Sequence, residues 1–368
     1  MEDSLFQLLR IGLGIEQPSD GAIGHLASLS SEKWKTLRDL AERQGVAAIV
    51  IDGLNNLSQK YGKNSIGAGV DPEQWKLFML EWMGSLLMIE QANEVQKEVM
   101  NNLAKKWNEA GCRVMVMKGQ ANGLFYPHSN HRATGDIDCY LFENYAKGND
   151  VARRIGAEVD ESWYKHSVII YKGETFENHQ FFVHTRDGKG GKQLEKELEH
   201  ALNVDSSQFA PLSEYVVCPP VQWTAMFLTY HACAHFISEG LNLKQVLDWA
   251  MFLKKHQNDV DWPRFYDFCA RHHLRRFADV STSIAKNYLG INIIKNEIRA
   301  DSPYTERVLH SALYDDDYVF GSGKGNWYNR FHLIRNLWTY RWKYRDIYQM
   351  SPLRQLWYYA TGFIFKTE

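Results

Sequence analysis

The sequence predicts an α/β (α+β) fold: a small mixed β-sheet core flanked by an N-terminal and a C-terminal helical region. Three observations carry this. Through residue 110, apolar side chains recur at helical spacing. At residue 112 the chain changes to short apolar runs broken by glycine turns, and beyond Pro219-Pro220 the helical spacing returns. A length of 368 residues exceeds one ordinary small domain, and the changes of pattern divide the chain into units 1–110, 111–205 and 206–368.

In the first unit, Ser31 followed by Glu32, Trp34, Leu37 and Leu40 marks a capped helix start, because a serine hydroxyl accepts from a free amide of the first turn. Residues 58–70, with Gly62, Asn64, Ser65, Gly67 and Gly69, read as a loop. Asp71-Pro72-Glu73 opens a long helix: aspartate caps it, and proline fits a first turn whose amides have no helical partner. Trp75, Phe78, Met79, Trp82, Leu86, Ile89, Val95, Val99 and Leu103 keep its period, and Gly111 suits its stop. In the second unit, 114–117, 136–142, 167–171 and 175–183 read as strands. Lys172-Gly173-Glu174 is a compact hairpin turn, and helices are expected over 119–126 and 144–156. Residues 186–192 read as a flexible loop. In the third unit Asp261-Trp262-Pro263 starts a helix, and 321–325 is a further glycine loop.

Chemistry concentrates where an apolar strand runs into Lys118-Gly119 and Gly135-Asp136-Ile137-Asp138 opens the next strand. Alternate strand residues share a face, so Asp136 and Asp138 project together. Two carboxylates about 4 Å apart repel by roughly 4 kcal/mol at an effective dielectric of 20. Such a pair calls for a cation, and its hard oxygens favour Mg²⁺ (or Mn²⁺), which suits phosphoryl or nucleotidyl transfer. The same spacing also fits solvated carboxylates at a strand end. Gly119 lets backbone approach a phosphate closely, while Lys118 and Arg132 can neutralise its charge. Glu177 offers a third carboxylate, and His179 shares its face by period two. His231 and His235, four apart on a helix, face one way, but no third ligand accompanies them as a zinc site would require.

Lys118-Gly119, Tyr126-Pro127, Arg132 and Gly135-Asp136-Ile137-Asp138 resemble the bacterial "uncharacterised nucleotidyltransferase" family of the DNA polymerase beta-like superfamily. The resemblance continues through Glu177-Asn178-His179 and His231-Ala232-Cys233-Ala234-His235 to Leu247-Asp248, over roughly residues 100–275. It implies that 111–205 is a nucleotidyltransferase core. Asp136, Asp138 and Glu177 would bind Mg²⁺ and catalyse transfer of a nucleoside monophosphate from an NTP. Lys118, Gly119, Gln120 and Arg132 would bind the nucleotide. It places His179, His235, Lys244 and Asp248 around an acceptor pocket. Two departures stand out: Gln120 follows the glycine where the superfamily often has a small or hydroxyl residue, and the carboxylate strand continues Cys139-Tyr140-Leu141.

Bulk properties bound the partners. Hydrophobic content of 45% with 23% charged residues fits a soluble globular chain, and a net charge of −2 gives no electrostatic argument for nucleic acid. An acidic start, the lack of a long apolar run and five scattered cysteines fit a cytoplasmic protein with reduced thiols and no transmembrane segment. From Lys324 to Glu368, eight basic residues face two acids among 13 aromatics. This fits amphipathic helices burying aromatics, or contact with a membrane surface. The acceptor is open: a small molecule, a protein or a nucleic acid. Two other readings are a non-catalytic nucleotide-binding regulator on the same fold and a membrane-peripheral partner of surface-polymer biosynthesis.

Overall fold

The computed structural model describes residues 2–62, 65–183, 189–238, 240–315, 335 and 338–351. Five helices come first: α1 (Glu2–Gly12), α2 (Asp20–Ala27), α3 (Ser31–Arg43), α4 (Ala47–Tyr61) and α5 (Pro72–Glu109). The cap of α3 is Ser30, whose Oγ accepts from the Lys33 amide, one residue before the serine expected. Helix α4 runs through residue 61, so the loop begins later than expected: Leu57 is still buried and holds the last turn onto the core. For α5 the capping chemistry is as expected: Asp71 Oδ1 accepts from the Glu73 and Gln74 amides at 3.1 Å.

The middle of the chain forms a five-stranded mixed sheet in the order β1-β2-β5-β4-β3. Its strands are β1 (Met115–Val116), β2 (Ile137–Tyr140), β3 (Glu158–Asp160), β4 (His166–Tyr171) and β5 (Glu174–His179). Strand β3 was not evident in the sequence, because its three residues, Glu158, Val159 and Asp160, carry one apolar side chain between two acids. The β4–β5 hairpin turns through Lys172 and Gly173 with φ of 50° and 85°; positive φ at both central residues matches the twist of the paired strands. Strand β2 lies parallel to β5, and this pairing sets the site. Helices α6 (Gln120–Gly123) and α7 (Tyr145–Arg154) fall within the expected spans.

One sheet face is apolar. Ile137, Cys139, Ile169 and Phe176 pack with Val99, Met100, Leu103 and Trp107 of α5 and with Val151 and Ala152 of α7. Trp107 meets Phe176 edge-on at 6.1 Å and donates to the Gly148 carbonyl at 2.9 Å. Asn149 of α7 accepts from Ser167 at 2.7 Å and from Asn178 at 2.8 Å, so a buried amide ties the helix to two strands of the sheet.

Helix α8 (Lys189–Ala201) begins inside the segment read as a flexible loop. Leu194, Leu198 and Ala201 fall on one buried stripe, and that stripe outweighs the low helix propensity of Gly190 and Gly191. Then follow α9 (Val221–Ser238), α10 (Leu243–His256), α11 (Trp262–Arg271), α12 (Arg275–Asn287) and α13 (Thr305–Tyr314), with Asp261 capping α11 as expected. The terminal helical regions share one apolar core, to which α5 contributes Trp75, Phe78, Trp82 and Leu86. Gln44, at the end of α3, ties them: it donates to Ala312 O at 3.0 Å and accepts from the Leu243 amide at 2.8 Å.

Of the basic aromatic C-terminal region, Trp342, Tyr344 and Ile347 are buried, with Trp342 edge-on to Phe236 and beneath the Arg307 guanidinium at 4.0 Å. The loop at 321–325 and the end of the chain from 352 lie outside the described residues. Among the described residues no helix is long and apolar enough to cross a membrane. All five cysteines are buried and unpaired.

Helices α1 and α4 cross through Gly12 and Gly53. A Cβ on Gly53 would overlap the Leu8 carbonyl oxygen, whereas Gly84 of α5 has open space around it. We expect Gly53→Ala to lower unfolding stability by about 1–3 kcal/mol through forced separation of the helices, or more if they cannot part. Gly84→Ala should raise it by about 0.5–1 kcal/mol. Urea denaturation of the two variants checks both signs.

Candidate active site

The polar face of the sheet is assembled by register. In the parallel β2–β5 pair, Asp138 lies beside Glu177 and Tyr140 beside His179. In the hairpin, His166 lies opposite His179 and Val168 opposite Glu177. Side chains two apart share a face, so Asp138, Glu177, His179 and His166 project together, and Asp136, just before β2, joins them. Helices α9 and α10 supply the opposing groups, His231, Lys244 and Asp248.

Asp138 is almost fully buried, at 2% exposure. Its Oδ1 lies 3.2 Å from His179 Nε2. Its Oδ2 lies 3.0 Å from the Lys118 ammonium but makes no hydrogen bond of good geometry. Burial opposes its charge, yet Lys118 and His179 outweigh burial and hold the carboxyl well below the usual range. Lys118 Nζ also sits 3.1 Å from His231 Nε2. That ring is kept neutral by burial and by the Lys118 charge, so it accepts. Lys118 thereby bridges the sheet to α9.

Asp136 is open to solvent on one side and crowded on the other. That crowding, with the charges of Glu177 and Asp138, pushes its carboxyl up. Glu177 is half-buried; burial opposes its charge, and the His179 hydrogen bond, at 3.2 Å from Oε2, holds its carboxyl down. Its Oε1 lies 3.5 Å from His166 Nε2. His179 Nδ1 is 3.1 Å from the Phe181 carbonyl oxygen and donates to it. The repulsion expected between the two aspartates is therefore divided unequally: Asp138 is compensated from within the protein, while Asp136 bears the remaining strain.

Gly119 has φ 64° and ψ −111°, a conformation for glycine alone, and it opens α6. The Gln120 amide is directed away from the carboxylates: it donates to Asn93 Oδ1 at 3.1 Å and Gln96 Oε1 at 2.9 Å on α5. Those residues in turn hold the loop before β2, through Arg132 O at 3.0 Å and Gly135 O at 2.8 Å.

Arg132 and Asp248 form a buried, two-pronged pair, Nε to Oδ1 and Nη2 to Oδ2, both 2.8 Å. Asp248 also accepts from Asn122 at 2.9 Å and Tyr126 at 2.8 Å. With four donors around it, Asp248 clamps α10 to the loop before β2. Lys244, one turn earlier on α10, reaches the Thr134 carbonyl at 3.4 Å. Burial, then Arg132, lower its ammonium to about 8. His235 rests edge-on against His231 at 4.4 Å.

Three residues near the cluster were not singled out in the sequence. His166 could have been found: a two-residue turn at 172–173 pairs 171 with 174 and, counting outward, 166 with 179. Lys165, whose ammonium burial lowers, feels Asp138 and Glu177. Glu195 of α8 accepts from the Phe182 and Val183 amides, and burial pushes its carboxyl to about 7. Neither has a local signal, because each reaches the site only through the packing of its segment on the sheet.

Removing one partner of a buried pair strands the other's charge, so Asp248→Ala should destabilise by about 3–5 kcal/mol. Because the folded carboxyl lies below its unfolded value, its contribution is present at neutral pH and lost as pH falls through the folded value. Asp138→Asn should also destabilise, because Lys118 loses its counter-charge. Asp136→Asn should hold or raise the melting temperature. Denaturation at pH 7 and at low pH checks all three.

The model of the uncharacterised nucleotidyltransferase family matches residues 30–290. No curated protein and no solved structure matches the chain. That match takes in α3 through α12, and with them the sheet and both helices facing it. The chain belongs to the uncharacterised nucleotidyltransferase family.

Proposed function

We propose that the protein transfers a nucleoside monophosphate from an NTP to an acceptor nucleophile, with 111–205 as the catalytic core and the helical regions 1–110 and 206–368 shaping the acceptor side. The observation that carries this is the placement of Asp138 and Glu177 side by side in parallel strands, with Asp136 next to them and Lys118 and Lys244 opposite. The donor set supports a divalent cation: burial pushes the Asp136 carboxyl up, Glu177 and Asp138 lie near enough to add to it, and the buried Asp138 Oδ2 has no hydrogen bond. Among the described residues, however, it is His166, Glu177 and His179, and not the three carboxylates, whose ligand atoms come within 4.8 Å of one another. Asp136, Asp138 and Glu177 would hold the cation. When bound, Mg²⁺ or Mn²⁺ supplies charge stabilisation at the phosphate oxygens and activates the nucleophile.

The chain's own groups do the remainder. Glu177 is ionised and turned toward the cluster, so it is the base that takes the acceptor proton. Lys118 and Lys244 present positive charge to phosphate oxygens, and Gly119 keeps the backbone clear for their approach. Arg132, committed to Asp248, acts by fixing the loop before β2. His235 and Lys244 line the acceptor side, with Asp248 holding their helix in place.

Incubation with NTPs labelled at the α-phosphate tests the reading: label should move to an acceptor with stoichiometric release of pyrophosphate. Asp136→Asn and Asp138→Asn should each lower this turnover at least ~100-fold, and Glu177→Gln should lose turnover while retaining NTP. Retention of NTP without any pyrophosphate release would instead assign a nucleotide-binding regulator.

Lys244 gives a pH signature. Its charge is present below about 8 and lost above it. Affinity for a nonhydrolysable NTP should therefore fall by roughly fivefold, about 1 kcal/mol, as pH rises from 7 toward about 9. Lys244→Arg, which keeps its charge, should flatten the profile. A profile unchanged by the substitution would remove Lys244 from the phosphate site.

A further inference from the structure

The carboxylates of the cluster face imidazoles as well as one another. His166, Glu177 and His179 each offer one ligand atom, and these atoms lie within 4.8 Å of one another. Glu177 turns one oxygen to each ring, with Oε1 3.5 Å from His166 Nε2 and Oε2 3.2 Å from His179 Nε2. Asp138 Oδ1 is also 3.2 Å from His179 Nε2. Ligand atoms bound about 2.0–2.1 Å from one ion stand roughly 2.8–3.4 Å apart at octahedral or tetrahedral angles. The two short separations, each to a different oxygen of Glu177, lie near that spacing, and rotation of the carboxylate and the rings would draw the three ligand atoms in from within 4.8 Å.

The orientation of His179 adds an independent argument. Its Nδ1–H is committed to the Phe181 carbonyl, which leaves Nε2 facing two carboxylate oxygens. In the neutral ring that atom is a lone pair, and a lone pair opposed by two anions is repelled. A positive centre between them, a proton or a metal ion, removes the repulsion. A ring whose far nitrogen donates to a backbone carbonyl while the near one faces carboxylates has the arrangement of a metal-ligating histidine. His166, on the neighbouring strand, stands opposite His179 in register, its ring 5.1 Å away.

We propose that His166 Nε2, His179 Nε2 and Glu177, with Asp138 alongside, form a site for a nitrogen-accepting first-row dication of the Zn²⁺ class, favoured over Mg²⁺. The proposal rests on reading this cluster as a cation site and specifies which cation it selects. Imidazole suits zinc better than magnesium, which keeps oxygen ligands and sheds water reluctantly, and manganese, lowest of the first-row dications in affinity, falls between them. Affinity should follow Zn²⁺ over Mn²⁺ over Mg²⁺.

The test is metal binding by the full chain without nucleotide. Zn²⁺ is measured by competition with a chromophoric chelator, and Mn²⁺ and Mg²⁺ by calorimetry. One Zn²⁺ should bind at least ~100-fold more tightly than Mg²⁺. His166→Gln should weaken Zn²⁺ by at least about tenfold while changing Mg²⁺ little, and His179→Gln should weaken Zn²⁺ further. Equal Zn²⁺ affinity in the wild type and His166→Gln overturns the proposal. Should a variant fail to fold, Co²⁺ added to the wild-type chain decides. An intense visible band marks low-coordinate binding with imidazole, whereas the weak spectrum of a six-coordinate all-oxygen site overturns it. Failure of label transfer from the NTP, with Zn²⁺ binding intact, would instead count against the nucleotidyltransferase reading alone.

Discussion

The structure is organised around a charge that has no access to water. Asp138 lies at 2% exposure, and burying an ionised carboxylate costs several kcal/mol unless the protein supplies opposite charge and hydrogen bonds. Lys118 at 3.0 Å supplies about 5–6 kcal/mol of attraction at an effective dielectric of 20. That lysine can stand there only because β1 ends in the Lys118-Gly119 turn and because neutral His231 on α9 accepts from its other side. Compensation of one carboxylate thus ties the sheet to the C-terminal helices at the polar cluster.

A second buried pair ties the same two layers. Arg132 and Asp248 join the loop before β2 to α10, and Asn122 and Tyr126 complete the acceptor positions of Asp248. The loop is held from behind by Asn93 and Gln96, amide side chains buried on α5. Helix α5 therefore links both layers: its first half packs in the helical core, its second half backs the sheet, and its polar middle positions the segment carrying Asp136. The site owes its geometry to this spine as much as to the strands that bear its side chains.

The two aspartates of the Gly135-Asp136-Ile137-Asp138 segment consequently differ in kind. Asp138 is neutralised from within and is part of the frame. Asp136, open to solvent on one side and pushed up by burial, Glu177 and Asp138, is the group that bears the uncompensated repulsion. The sequence presents them as an equivalent pair, because their spacing encodes only a shared face.

Much of this was legible in the sequence because it is local. Aspartate and proline at the start of α5, the positive-φ turn at Lys172-Gly173, the helical pairing of His231 with His235 and the alternation that brings Asp136 to Asp138 are each set by residues within a few positions of one another. The strand β3 and the helix α8 were not foreseen, β3 for its short length and α8 because its paired glycines at 190 and 191 mask its start. What the tertiary structure alone decided is who faces whom: Asp138 beside Glu177 across the parallel β2–β5 pair, Gln120 turned to α5, Arg132 and Asp248 locked together, and Lys165 near the carboxylates. These contacts join segments far apart in the chain. Side-chain chemistry makes them favourable, but only packing of the helices on the sheet brings them within range, and no spacing in the sequence records that approach.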